Sequence, residues 1–239
     1  MQKREGYRQA FKYYLTIKSM LDLHFITEDL ANIVENKNID LLYEYFCFFK
    51  FSSCISKIYD VSIDKINIIK DETTKTIGKE NRTYSYFEFR SEDKQFPHIK
   101  LFFKKYYRSN VESYSNTFDP DISLEVYRPN ESLEHIIIFD AKFKMEVDKG
   151  ERNKFKNEDI NKMHAYKDAI NNVLGSFVVY PGDVFNIFHH KKYCKECEIN
   201  RCKNKFYGVG AFPLKPNVNA EKSIINLLES LLSCEVHQQ

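Results

Sequence analysis

The chain has no apolar run approaching the length of about eighteen residues that a membrane-spanning helix needs, so a transmembrane reading is excluded. Its opening, Met-Gln-Lys-Arg-Glu-Gly-Tyr, lacks the apolar stretch of a secretory signal peptide, and a cytoplasmic location is expected. Net charge is nearly missing too: 36 Lys and Arg face 34 Asp and Glu in 239 residues. A generally basic, histone-like binder is thereby excluded, and any nucleic-acid site must come from local placement of charge. The six cysteines do not form the framework of a small secreted domain. Cys47 and Cys54 fall inside an aromatic helical pattern, Cys234 follows an apolar helix, and only Cys194, Cys197 and Cys202 cluster. Internal repeats and low-complexity tracts are absent. What is present argues for a packed domain, since 15% aromatic residues is far from a disordered composition. A chain of this length buries about 70% of its unfolded surface and needs neither disulfide nor metal merely to fold.

Proline and glycine are missing between Gly6 and Lys57, and helices fill that stretch. Phe11, Tyr14, Leu15, Ile17, Met20 and Leu21 fall at helical spacing within Tyr7–Leu23. Asn38-Ile39-Asp40 can cap a second helix over Leu41–Tyr59. From Val61 the pattern turns to alternation and β-branched or aromatic runs, predicting strands over Val61–Ile69, Thr83–Arg90, His98–Tyr107, Asp121–Arg128 and His135–Met145. A charged loop then leads to a helix over Glu158–Val173 ended by Gly175, a strand Ser176–Tyr180, a strand Tyr207–Leu214 and a helix Ala220–Leu232. The expected architecture is one α/β domain over residues 39–239, a mixed β-sheet flanked by helices, preceded by an N-terminal helical arm over residues 1–38.

The stretch that carries chemistry is Asp119-Pro120-Asp121-Ile122-Ser123-Leu124-Glu125, followed by Ile136-Ile137-Ile138-Phe139-Asp140-Ala141-Lys142-Phe143-Lys144. Alternate side chains of a strand share a face, so Asp140 and Lys142 point one way while Phe139, Ala141 and Phe143 point into the core. A hairpin through Pro129-Asn130 brings Asp121 beside Asp140. Two carboxylates at that range repel unless a proton or a cation sits between them. Hard oxygen ligands suit Mg²⁺, which keeps several waters and a substrate phosphate; the lysine then orients water and offsets charge on the phosphoryl oxygens.

These residues resemble the PD-(D/E)xK nuclease superfamily, with Pro120-Asp121 as the first half of the motif and Asp140-Ala141-Lys142 as the second. Asn161 to Ile170 resembles the helix that follows the D-x-K strand in McrC-like restriction nucleases. Tyr207-Gly208-Val209-Gly210-Ala211-Phe212-Pro213 resembles their downstream strand, and Tyr43-Glu44-Tyr45-Phe46-Cys47 their first core helix, whose glutamate can approach the metal. The resemblance implies a restriction-endonuclease-like fold and a metal-dependent DNA endonuclease of a restriction or anti-phage defence system, leaving a 5′-phosphate and a 3′-hydroxyl. Asp121, Asp140 and Glu44 then hold Mg²⁺, with Mn²⁺ as a substitute, and Lys142 activates water. A McrB-like NTPase partner is implied, and cutting both strands with one site per chain favours a homodimer or two bound copies. RecB-like relatives carry Gln followed four residues later by Tyr; here those positions hold Lys162 and Tyr166, so the tyrosine's role transfers and the glutamine's does not. McrC-like proteins usually carry a large region before the nuclease, which makes this chain a trimmed piece or a short standalone form.

Other classes stay open: a non-catalytic DNA-binding module that keeps the fold, or a small-molecule phosphohydrolase with the same metal site. Glu44 could equally form a structural salt bridge, because a carboxylate among aromatics demands a partner. Glu125 shares the face of Asp121 two pleats along, either as a supporting ligand or as a solvent-facing strand residue. His164 cannot face the same way as Tyr166 and reads as a surface histidine. Lys104, Lys105, Tyr106, Tyr107 and Arg108 combine charge and rings, either as a DNA-backbone contact or as an amphipathic edge strand. Cys194, Cys197 and Cys202, with His190 preferred over His189, form a candidate structural zinc knuckle within residues 189–203, against a reading as free surface thiols.

Overall fold

The computed structural model describes residues 39–61, 67–71, 82–90, 96–143, 155–182, 185–188, 207–215, 224–226 and 228–229. The expected arm, the cysteine cluster with its histidines, and most of the expected loop after Met145 lie outside them.

The described part of the stretch without helix breakers lies in α1, Ile39–Tyr59, with Asp40 in its first turn and Lys57 in its last, both complementing the helix dipole. Asp60, at φ 51°, turns the chain out of the helix, and Val61 N–H closes the end on Ser56 O at 3.1 Å. Of the strand expected over Val61–Ile69, residues 62–66 lie outside the described residues, and β1 spans Asn67–Asp71. Then come β2 (Arg82–Phe89), β3 (His98–Phe103), β4 (Ile122–Tyr127) and β5 (Leu133–Ala141). Helix α2 (Asn157–Ala169) leads to β6 (Val173–Tyr180), β7 (Asn186–Phe188) and β8 (Gly208–Pro213).

The eight strands form one mixed sheet in the order β1-β2-β3-β4-β5-β6-β8-β7. Strands β1 to β5 run as an antiparallel meander, β5, β6 and β8 are parallel, and β7 returns antiparallel along the edge. The parallel centre is covered on both faces, so β6 is buried at every residue rather than alternating. On one face α1 packs through an aromatic layer: the Phe51 ring lies 4.6 Å from Phe139 and 5.6 Å from Phe212, and Tyr45 lies 4.6 Å from Phe103. Cys47 and Cys54 are buried in this layer. On the other face α2 packs Ile160, Met163 and Tyr166 over Ile136, Ile138 and Val178. Gly210 permits the edge pairing: a Cβ there would lie 2.2 Å from the carbonyl oxygen of Asn186 on β7.

Several boundaries differ from the sequence expectation for identifiable reasons. Strand β3 stops at Phe103 because Lys104 adopts φ 52° and turns the chain. Residues 104–108 therefore follow β3 outside any named strand, with a bridge from Tyr107 to Phe118, which overturns their edge-strand reading. Helix α2 ends at Ala169, and Asn172 at φ 63° makes the turn that Gly175 was expected to make. Gly175 instead lies inside β6. The short strand β7 had no counterpart in the sequence pattern. Among the described residues no helix is long and apolar enough to cross a membrane.

Candidate active site

The β4–β5 register pairs Ile122 with Phe139 and Ser123 with Ile138. Continued one residue past Ile122, it sets Asp121 opposite Asp140 on the α2 face of the sheet. Asp121 sits just before β4 and is fixed twice. Its backbone carbonyl accepts from Lys104 N–H at 2.9 Å, which is where the left-handed turn at Lys104 delivers that donor. Its carboxylate Oδ2 accepts from Ala141 N–H at 2.8 Å.

Asp140 lies near the end of β5 and is fully buried, not on a solvent-facing side as the strand alternation implied. Helix α2 closes over it. Lys162 Nζ donates to Asp140 Oδ1 at 3.0 Å, and the Tyr166 hydroxyl reaches the same oxygen at 3.4 Å. Lys142 follows the last strand residue, tied by its N–H to Val179 O at 2.7 Å. Its ammonium lies 2.5 Å from Asp140 Oδ2 and 3.8 Å from Asp121 Oδ2, and donates to the Ala141 carbonyl at 3.2 Å. The three predicted residues Asp121, Asp140 and Lys142 are thus brought together.

Their electrostatics follow from that proximity. Burial, then the charges of Asp140 and Glu44, push the Asp121 carboxyl up to about 7, against the opposing pull of Lys142 and the Ala141 N–H. Burial disfavours the Lys142 ammonium, but Asp140 and Asp121 outweigh it and raise its pKa. Lys162 is raised by the same balance, with Asp140 as the leading attraction. Burial and Asp140 also hold Tyr166 firmly as a neutral phenol, able to donate.

The other candidates divide. Tyr166 is at the site, and His164 is exposed on α2 as expected. Glu44 on α1 pairs with Lys104 at 2.7 Å, the salt-bridge arrangement left open above, while still acting electrostatically on Asp121. Glu125 is buried, so the solvent-facing reading is overturned. It binds Lys105 and the hydroxyls of Tyr107 (3.2 Å) and Tyr127, four residues and roughly 13 Å along the strand from Asp121. Lys105 and Tyr107, read as DNA contacts or edge residues, belong to this internal network.

Lys162 was set aside in the sequence because it replaces a glutamine. The available signal was its i, i+4 spacing to Tyr166, which puts both side chains over one patch of sheet. Asp159, in the first turn of α2, lies within electrostatic reach of Lys142 and Asp140 and carried no distinguishing pattern.

Among the described residues, no three His, Cys, Asp or Glu side chains form a ready metal cage. The oxygens nonetheless suit a hard cation. Asp140 Oδ2, Asp121 Oδ2 and the Ala141 carbonyl already converge on one ammonium, and Asp140 Oδ2 is a buried acceptor without a well-directed hydrogen bond. Two carboxylates and a carbonyl are an adequate protein contribution for Mg²⁺, which retains waters.

A family model of the PD-(D/E)XK nuclease superfamily matches residues 41–184, more than half of the chain. The chain belongs to the PD-(D/E)XK nuclease superfamily. The matched span contains Glu44, Asp121, Asp140, Lys142, Lys162 and Tyr166, and the mixed sheet with flanking helices is the restriction-endonuclease-like core expected of a superfamily member. Comparison with curated proteins and with solved structures gave no match.

Proposed function

We propose that this PD-(D/E)XK protein is a Mg²⁺-dependent DNA endonuclease of the McrC-like branch, acting in a cytoplasmic restriction or anti-phage defence system. The observation that carries the reading is the convergence of Asp121, Asp140 and Lys142 at the strand ends, with both carboxylates on one face and the ammonium between them.

Asp121 and Asp140, with the Ala141 carbonyl, would hold the cation. Once bound, it supplies Lewis-acid polarisation of the scissile phosphate and a water of lowered pKa. The chain's own groups do the rest. The Ala141 N–H orients Asp121 and the Tyr166 hydroxyl orients Asp140, so the carboxylates are held in place before a cation arrives. Lys142 is partly exposed at 29% of its side chain, so its ammonium can reach a substrate oxygen while its stem stays anchored. There it orients the attacking water and offsets negative charge growing on the phosphoryl oxygens. Attack in line with the leaving oxygen leaves a 5′-phosphate and a 3′-hydroxyl. Glu44 assists through its charge near Asp121.

A near-neutral chain binds DNA modestly and with steep salt dependence, because phosphate neutralisation supplies most non-specific affinity. Recruitment by a McrB-like NTPase, and pairing of two copies to cut both strands, fit that weakness. Plasmid cleavage in Mg²⁺ against EDTA tests the activity. Nicking or linearisation that requires the metal is expected; no metal-dependent cleavage, with or without an NTPase partner, would refute it.

A further inference from the structure

One buried carboxylate carries two ammonium groups. Lys142 Nζ lies 2.5 Å from Asp140 Oδ2, and Lys162 Nζ lies 3.0 Å from Oδ1, so each oxygen of Asp140 already faces a positive charge. A nuclease site needs one lysine beside its carboxylates to serve the reacting phosphate. The second has no evident need, and it is differently built. Lys142 follows directly from β5, whereas Lys162 reaches in from α2 with 44% of its side chain exposed. Its ammonium also sits 5.1 Å from the centre of the Tyr166 ring, a second site of attraction for the charge beside Asp140. The acidic groups that attract it, Asp140, Asp121 and Asp119, all border the site.

We infer that Lys162 is a counter-cation that competes with the divalent metal for Asp140 and is drawn off by a nucleic-acid phosphate. The inference rests on the proposed nuclease function. Without DNA, the Lys162 ammonium occupies one oxygen of a metal ligand and weakens metal binding. A phosphate arriving at the mouth of the site offers this lysine an alternative anion within reach of its flexible stem. Its departure removes a positive charge from the carboxylate whose Oδ2 faces the cation position, so DNA binding and metal loading reinforce each other. Linkage makes the effect reciprocal: metal, by displacing Lys162, favours phosphate binding. Metal affinity then rises where substrate is present.

The test is Mn²⁺ binding to the full chain by electron paramagnetic resonance and calorimetry, with and without a non-cleavable phosphorothioate duplex. Lys162→Met keeps the stem and removes the charge. It is expected to bind Mn²⁺ roughly tenfold more tightly than the parent without DNA. With DNA present the two proteins should converge. The DNA affinity of Lys162→Met should fall, with a logarithmic salt slope shallower by about one. Lys162→Arg, which retains a cation, should resemble the parent, and Lys162→Gln supplies a second neutral variant if the methionine protein does not fold. Unchanged or weaker Mn²⁺ binding by the neutral variants overturns the inference. Asp140→Asn separates it from the underlying reading. If that variant loses Mn²⁺ while Lys162→Met matches the parent, only the counter-cation role fails. If Asp140→Asn binds Mn²⁺ like the parent, the nuclease site and this inference fall together.

Discussion

The backbone N–H of Ala141 donates to Asp121 Oδ2 at 2.8 Å. The residue between Asp140 and Lys142, whose own side chain does no chemistry, thus couples the two halves of the site through its main chain. Its carbonyl accepts from Lys142 at 3.2 Å, so the two peptide units flanking Ala141 touch Asp121 and the lysine respectively. A shift of β5 by one residue would break both contacts and turn Asp140 to the α1 face. The apolar run Ile136 to Phe139, buried on both faces, sets that register and thereby the spacing of the charged groups.

Removal of the lysine alone separates chemistry from metal binding. Lys142→Ala should lower cleavage by about 10²–10³-fold while leaving Mg²⁺ binding within a few-fold of the parent. Asp140→Asn should lower both. Asparagine is the better probe than alanine, because it removes the charge while keeping the volume and an acceptor oxygen between Lys142 and Lys162. Cleavage kinetics and Mn²⁺ titration check the pair; parental cleavage by either variant would remove these residues from the site.

Much of this arrangement was legible in the sequence, for local reasons. Helix α1 and strand β2 fall within two residues of expectation, because an unbroken aromatic helix pattern and a clean alternation each leave one solution. The D-x-K triplet was placed correctly at the end of an apolar strand. Its surroundings were not legible. Alternation shows which side chains share a face but not what covers it, and α2 over Asp140 is a tertiary fact. Lys104 and Asn172 turn the chain without glycine, so β3 and α2 were drawn too long. Glu125 shares the face of Asp121 as foreseen; its partner Tyr127 lies two residues along the same strand, but Lys105 and Tyr107 come from folding of the turn after β3.

Asp121 gives the metal-free protein a measurable pH dependence. Its carboxyl is raised to about 7 in the folded state, above the ordinary unfolded value near 4. The folded state therefore binds this proton more tightly. Stability from this group is fully present below about pH 4 and is lost as pH rises through about 7. In EDTA, Asp121→Asn should gain melting temperature over the parent at pH 8, by several degrees, with the gain shrinking toward pH 4. Mg²⁺ should reverse the order at pH 8, because the metal requires the carboxylate. Thermal melts at the two pH values with and without Mg²⁺ check this.

Glu44 adds negative charge near Asp121, so its removal should lower the Asp121 pKa. Glu44→Gln is expected to retain activity within about tenfold, since the carboxylate is engaged by Lys104 and contributes through its field. An isotope-edited carboxyl titration should show Asp121 titrating at lower pH in the variant. A loss beyond a hundredfold, with Asp121 unmoved, would instead make Glu44 a direct ligand.

His135 on β5 supplies an acid-sensitive element away from the site. It is buried, and neither ring nitrogen has a hydrogen-bond partner among the described residues. Burial depresses its pKa to about 4, below the ordinary value near 6.5, so the folded protein holds it neutral. The sign is opposite to that of Asp121. Between about pH 6.5 and 4 the unfolded chain takes up a proton that the folded chain refuses, so stability falls as pH drops through that window. The unpaired nitrogens add a desolvation cost at every pH. His135→Leu removes both effects at similar volume. It should equal or exceed the parent's stability at pH 7.5 and exceed it by more at pH 5, measured by urea unfolding. A variant that loses stability equally at both pH values would show that the imidazole is held by a partner, and would contradict its neutral burial.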